Sequence, residues 1–409
     1  MVIHVLAYVW LVLAAAGVAY TALAGGLAHR FFAGCGSGSA SPPCEDAVTL
    51  IKPLHGAEPG LKARLEGFAQ QDHPATQIVF GSDDAVDAAL DIARAAMRSS
   101  PTQNVQFVAN ATLQGQNRKI SNVINMMDGA GCAIDPRAVY ILSDSDIGVP
   151  SYYVSRISGA LSEPGVGVVS CPYFGEPMAG FWSEIAAMGI SYHFLSNMIT
   201  GVALGLANPC MGSTIGLRRS TLDRIGGFRA FRDSLADDYA IGAAVRGLGL
   251  RSTVAPLLVS HGCAEASLKD LVVHELRWLR TVRSIDPKGH AGSLVTHPLP
   301  LALMAALLSG GSLISLGVVA AAVLARFWLF WSINRVVGRS LCRWWLLPLR
   351  DILSFGLFAG SFLATSVEWS GVRFGVTAEG ELAPAKTLVR RRSAAQGRLA
   401  PDHGAKPSF

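Results

Sequence analysis

The sequence predicts an α/β fold with a mostly parallel sheet, flanked by membrane helices at its two ends. Short apolar runs alternate with helix-like stretches from Val48 to Cys171, the pattern of a layered sheet. Outside that region lie two long stretches almost free of charge, Val2–Leu27 and Leu299–Ile333. The composition agrees: of 409 residues, 51% are hydrophobic and only 15% charged, where a soluble domain is about a quarter charged. Part of the chain therefore belongs in lipid. The net charge of +5 is modest, and no basic stripe is interleaved with aromatics, so nucleic acid is not an expected partner. The 7 cysteines are scattered and lack C-x-x-C spacing, which fits a reducing compartment better than a disulfide framework or zinc site. Cys35 and Cys44, which bracket a linker, are the pair a disulfide would join.

Val2–Leu27 is long enough to span a bilayer. No Lys or Arg precedes it and His29-Arg30 follows at once, so the positive-inside rule puts the bulk of the protein in the cytoplasm. A weak n-region and a long apolar stretch argue for an uncleaved anchor, residues 1–33, over a signal peptide. Residues 34–46 form a Gly/Ser/Pro linker. The α/β domain then occupies 47–296. Strands are expected at Val48–Lys52, Ile78–Gly81, Val105–Val108, Val139–Leu142 and Val166–Cys171, and helices at Leu61–Gln70, Ala85–Met97 and Lys119–Met127. Residues 297–376 are expected to hold membrane helices and interfacial segments. Leu299–Ile333 is one tilted span or two short ones hinged at Gly310-Gly311, and Ile352–Val367 is a further, slightly short candidate. Arg335, Arg339 and Arg343 with Trp344-Trp345 suit an interfacial belt. Residues 377–409 form a polar basic tail, expected to be disordered, and the number of C-terminal crossings stays open.

Four constellations carry chemistry. Asp144-Ser145-Asp146 follows directly on an apolar strand. Ligands gather at that edge of an α/β sheet, and two carboxylates one residue apart suit Mg²⁺ or Mn²⁺, which take their remaining oxygens from phosphates and water. The plain alternative is an acidic capping turn. Asp83-Asp84 can accept hydrogen bonds from a nucleoside, or cap the helix Ala85–Met97. In Gly115–Asn122, Lys119 can meet phosphate, while Asn117 and Asn122 hold the loop or the nucleoside; a helix N-terminus favours anions in any case. Asp237-Asp238 pairs with Arg277-Trp278, and the small-residue strand Gly212–Arg219 lets a flat ligand approach. His193 reads as an interior histidine or an acceptor-site residue; Cys210 reads as a small buried hydrophobe.

Together these stretches resemble the membrane-anchored inverting glycosyltransferases typified by ceramide glucosyltransferase (family 21 type), and within them the bacterial hopanoid-biosynthesis-associated branch. The resemblance rests on GxNxKxxN at Gly115–Asn122, DSD at Asp144–Asp146, ADDY at Ala236–Tyr239 and the RW pair Arg277-Trp278. Tyr192-His193, Cys210, Gly226-Gly227-Phe228 and Trp369–Arg373 also match. It covers most of the chain and implies a GT-A-type nucleotide-sugar fold on a multi-pass protein of the bacterial inner membrane, with the catalytic domain cytoplasmic. It implies a UDP-sugar donor, either UDP-N-acetylglucosamine or UDP-glucose, and a lipid hydroxyl acceptor. Asp144 and Asp146 would hold the divalent cation. Asp83, Asp84, Asn117, Lys119, Asp144, Arg277 and Trp278 would bind the donor. Asp238 would be the general base, with Asp237 and His193 at the acceptor. His297–Leu301 looks more like the hopanoid branch, favouring a polyhydroxylated hopanoid over ceramide. Two departures stand out: His274 replaces the family's usual Gln or Arg three residues before Arg277, and the loop at Asp83-Asp84 is shortened. A processive polysaccharide synthase shares the layout but normally carries more spans. A non-catalytic scaffold has no chemical need for Asp144, Asp146, Asp238 and Arg277 together.

Overall fold

The computed structural model describes residues 2–33, 46–74, 76–98, 104–132, 134–363, 366–369, 372–376 and 382–384. The chain opens with α1 (Val2–Ala33), which at about 1.5 Å per residue is longer than a hydrocarbon core is thick. It then enters β1 (Val48–Pro53), α2 (Leu61–Ala69), β2 (Thr76–Ser82), α3 (Ala88–Met97), β3 (Asn104–Ala109), α4 (Arg118–Gly129) and β4 (Val139–Leu142). These form the expected alternation. There follow β5 (Ile147–Gly148), α5 (Tyr153–Leu161), β6 (Val166–Ser170), β7 (Tyr173–Pro177), α6 (Phe181–Gly189), α7 (Leu195–Ala203), β8 (Ile215–Arg218), α8 (Arg219–Arg224), α9 (Asp237–Gly247), β9 (Arg251–Val254) and β10 (Val259–Cys263).

Seven strands make the main sheet in the order β3-β2-β1-β4-β8-β6-β9. β1 pairs parallel with both β2 and β4, while β8 runs antiparallel to β4 and β6. Successive side chains leave β1 on opposite faces. Leu50 packs with Leu65, Ala93 and Ile157 on one side, and Ile51 with Ile120, Val123 and Ile241 on the other. Both faces are covered, so the central strands read as continuous apolar runs. The strand order reverses between β1 and β4, the switch point beside which α/β folds bind ligands. A second, three-stranded sheet, β5-β10-β7, stands beside that point.

The C-terminal part comprises α10 (Leu268–Ile285), α11 (Pro287–Gly292), α12 (Pro298–Leu308), α13 (Leu313–Val337) and α14 (Leu347–Gly360). α1 and α13 are the two described helices long and apolar enough to cross a membrane, and Pro287–Thr296 with Pro298–Leu308 is a pair bent by 68°. Leu299–Ile333 is therefore not one helix. It breaks at Gly310 and Gly311, whose φ of 65° and 75° is the left-handed backbone that glycine adopts without Cβ strain. Ile352–Val367 is not a continuous span either: α14 ends at Gly360, and β11 (Ser366–Trp369) begins a small antiparallel sheet with β12 (Val372–Val376) and β13 (Leu382–Pro384). Near its start α14 holds Arg350 and Asp351, buried in ion pairs with Glu275 and Arg326 at 2.7 and 2.6 Å. These charges dock α14 on protein. β13 also places three residues of the expected tail in a strand; most of that tail, and Cys35 and Cys44, lie outside the described residues.

α1 packs along α12 and α13 through a stripe of small residues, Ala14, Gly17, Thr21, Ala24, Gly25 and Ala28. A Cβ on Gly25 would stand 2.4 Å from Trp328 Nε1, which donates to Ala22 O at 3.0 Å. Close backbone approach of this kind is how helices associate in lipid. The expected belt is partly an interdomain clamp: Arg339 pairs with Glu176 at 2.5 Å and Arg343 with Glu184 at 2.6 Å. Trp344 and Trp345 remain exposed.

Candidate active site

The site lies at the carboxyl ends of β1 and β4. α4 begins there because Asn117 caps it, accepting from Ile120 N at 3.0 Å. That cap aims Lys119 at Asp144 Oδ1, 2.6 Å away, and at Asp237 Oδ2, 3.3 Å away. Burial works against the Lys119 charge, but the two carboxylates hold its ammonium above the ordinary range. Asp238 lies in the first turn of α9; its Oδ2 accepts from Gly212 N at 3.0 Å and its Oδ1 from Tyr239 N at 2.7 Å. Burial, with Asp237 adding to it, pushes the Asp238 carboxyl up to about 6. These groups converge over Gly212. A Cβ there would lie 2.9 Å from Asp144 Oδ2, 3.4 Å from Lys119 Nζ and 3.7 Å from Asp238 Oδ2. Only glycine leaves that space open.

Asp146 has a different partner. Its Oδ2 is 3.1 Å from His261 Nε2, delivered by β10 through its pairing with β5, His261 opposite Ile147. Burial opposes both charges, yet each holds the other ionised: the imidazole is raised well above its usual value and the Asp146 carboxyl is depressed. Asp146 Oδ1 is buried without a hydrogen-bond partner. The DxD pair therefore fits a divalent cation, since it offers hard anionic oxygen, one atom of it unclaimed. Among the described residues no group of three or more His, Cys, Asp or Glu side chains is placed to hold a metal ion.

Beneath the clamp lies Lys52. It is buried, stands 3.9 Å over the Phe68 ring, and donates to the backbone oxygens of Asp144 and Ile147 and to Ser143 Oγ. Burial pushes its ammonium down to about 7. Sequence reading missed it, although a lysine inside an apolar strand was a legible signal. His261, in Ser260-His261-Gly262, carried no such signal, because only the β5–β10 register brings it to Asp146.

The remaining expected residues divide. Asp83 pairs with Arg118 at 2.6 Å at the cleft edge, whereas Asp84 accepts from Val86 N in an exposed local turn. Neither caps α3; Asp87 does, accepting from Ala89 N at 2.9 Å. Asn117, read as a donor contact, is fully buried, its amide donating to Ser234 O and Asp237 Oδ1. It positions Asp237 instead. Asn122 likewise ties α4 to Gly81 O at 2.9 Å. Arg277 is largely buried, which lowers its pKa, while the charge of Asp144 opposes that shift. Trp278 packs edge-on against His274 at 4.5 Å and His261 at 5.9 Å. His274, at the departure from the motif, is bound to Glu265 at 2.6 Å. His193 lies away from the carboxylates, in the π-helical turn Ile190–Phe194, stacked on His297 at 4.7 Å with Thr296 Oγ1 at 3.4 Å. Cys210 is buried, and all five described cysteines are unbridged.

Comparison with known proteins gives this architecture a lineage. A mannosyltransferase from Pyrobaculum calidifontis, solved with GDP-Man and Mn²⁺, superposes with a TM-score of 0.51 at 18% identity, covering 88% of this chain and 99% of that one. The likeness shows a GT-A-like fold. Ceramide glucosyltransferase 1 of Caenorhabditis elegans is 22% identical over 240 residues, 58% of this chain and 50% of the relative. Ceramide glucosyltransferase 3 of the same organism is 23% identical over 243 residues, 57% and 50% respectively. The chain thus spans about half the length of the curated relatives it matches. The description of glycosyl transferase family 21 matches residues 9–382, nearly the whole chain, and the protein belongs to that family.

Proposed function

We propose that this chain is a membrane-bound inverting glycosyltransferase that moves a hexosyl group from a UDP-sugar to the hydroxyl of a membrane lipid. The observation that carries the reading is the convergence of Asp144, Lys119 and Asp238 over Gly212. It sets a base, a cation and a metal-type carboxylate around one open space at the sheet's switch point. Asp238 takes the proton of the acceptor hydroxyl. The freed oxygen attacks the anomeric carbon from the face opposite the diphosphate, which leaves with the bond's electron pair, so the configuration inverts. Asp144 and Asp146 would hold a divalent cation, with His261 orienting Asp146, and that ion would supply positive charge for the departing diphosphate. Lys119 and Arg277 add positive charge on the same side, Trp278 packs near the acceptor, and Asp83, oriented by Arg118, receives the nucleoside.

α1 and α13 keep the site at the bilayer, so an amphiphile's headgroup reaches Asp238 without its chains leaving lipid. The positive-inside pattern at His29-Arg30 supports a cytoplasmic site, where a nucleotide-sugar is met. For the acceptor, the resemblance at His297–Leu301 supports a polyhydroxylated hopanoid. In the fold that stretch is a buried hinge, His297 lying among His193, Phe355 and Phe358, and a hinge bears weakly on the acceptor. The nematode relatives' names support ceramide as the second reading. Purified protein with Mg²⁺ or Mn²⁺, UDP-sugars and either lipid, with products read by mass, tests the proposal. Product with ceramide alone would reject the hopanoid, and no UDP release with any lipid would reject the transferase.

Two further outcomes are expected. Because the base must be ionised, kcat/KM should rise with pH through about 6 and level off above it; a profile flat across that region would remove Asp238 from the role. Lys52→Met should weaken Mn²⁺ binding in the presence of UDP about 10- to 100-fold, as loss of outer-shell support for metal ligands does. Unchanged Mn²⁺ affinity, followed by electron paramagnetic resonance, would reduce Lys52 to a packing residue.

A further inference from the structure

A cavity of about 290 Å³ opens beside the DxD loop, lined by Glu58, Arg64, Asp146, His261, Glu265 and His274 among others. Arg64, on α2, is only 7% exposed. Its Nη1 donates to Pro59 O at 2.8 Å, but Nε and Nη2 are buried with no partner. Those two atoms form one edge of the guanidinium, the edge that grips an oxyanion with two parallel hydrogen bonds. The group lies flat against Gly262, where a Cβ would stand 1.7 Å from Nη2, so the chain keeps that place clear of any side chain. Across the cavity, Asp146 Oδ1 and Glu58 Oε2 are also buried and unpartnered.

Leaving buried donors and acceptors unmatched is costly. A neutral ligand would answer only part of this set. A phosphate oxygen pair matches the Arg64 edge, and a divalent cation riding on the same phosphates matches the carboxylate oxygens. We propose that Arg64 is the diphosphate-gripping residue of the donor site, supplying from α2 a guanidinium fork inside the cavity that His274 also lines. This rests on the donor reading above. His274 is itself committed to Glu265 and leaves the anion to Arg64.

The test is binding, measured without turnover. UDP with Mg²⁺ is titrated into the full-length protein in detergent by calorimetry. Uridine, which lacks the phosphates, is followed by saturation-transfer NMR. Arg64→Met should weaken UDP about 10- to 100-fold, the scale of a charge-assisted hydrogen-bond pair, and leave uridine affinity unchanged. Arg64→Lys, which keeps the charge but loses the fork, should fall between. Arg64→Met also takes a counter-charge from Glu58 and Asp146, so Arg64→Lys, which keeps that charge, is the control for folding. UDP affinity equal to that of the unaltered protein would overturn the proposal. So would equal weakening of UDP and uridine with a lowered midpoint, which marks a structural residue. If the unaltered protein binds no UDP, the donor reading itself fails; if it binds UDP and Arg64→Met binds equally, only the assignment of Arg64 fails.

Discussion

Asp238→Asn is expected to lower lipid glycosylation about 10³-fold, within the range that a positioned general base contributes, while UDP affinity stays within about twofold. The asymmetry follows from placement. Asp238 is held by Gly212 N and Tyr239 N, two backbone donors that fix its orientation, and an asparagine keeps its shape and one accepting oxygen. What disappears is the capacity to take a proton, together with one of the two backbone hydrogen bonds. Neighbouring Asp237 is no substitute, because Lys119 and Asn117 engage both its oxygens. Steady-state rates beside UDP calorimetry separate the cases: joint loss of rate and affinity would make Asp238 a binding residue.

The second large effect concerns stability. Arg326 on α13 meets Asp351 on α14 as a two-pronged fork, Nε to Oδ2 at 2.8 Å and Nη2 to Oδ1 at 2.6 Å, and its Nη1 donates to Tyr192 O at 2.8 Å. Both side chains are buried. Removing one partner strands the other charge, so Asp351→Ala should cost about 3–5 kcal/mol, read as a lowered thermal midpoint in detergent. The paired replacement Arg326→Met with Asp351→Leu should recover most of the loss, because well-packed apolar groups often replace a buried ion pair without penalty. A single variant that melts like the parent would show that the two charges are solvated.

The elements around β1–β4 were legible because strands covered on both faces advertise themselves as apolar runs. The acidic pairs at Asp144–Asp146 and Asp237-Asp238 were visible because carboxylates stand out in a sequence this apolar. Three kinds of information were not. Local competition hid the start of α3: Asp83, Asp84 and Asp87 all suit a cap, and Ser82 Oγ at 2.7 Å together with Gly56 N selects Asp87. Register hid His261, which reaches Asp146 only through β5–β10 pairing. Burial hid the surroundings of Asn117 and of Arg64, polar residues in ordinary helical sequence whose environment depends on what folds over them. The candidate span Ile352–Val367 was not met because α14 ends at Gly360 and a strand begins at Ser366, a change of backbone that hydropathy does not mark.

The small-residue seam between α1 and the α12–α13 pair also sets a timetable. α1 is made before α12 and α13, which follow only after the α/β region. At about 5–20 residues per second the wait is roughly tens of seconds. Through that interval α1 lacks α12 and α13, and α7, which is synthesised earlier, is the partner already available to it. Any factor that shields a half-made membrane protein would have its longest opportunity here, and replacing α1 with an unrelated anchor would leave α12 and α13 to arrive with no seam to close on.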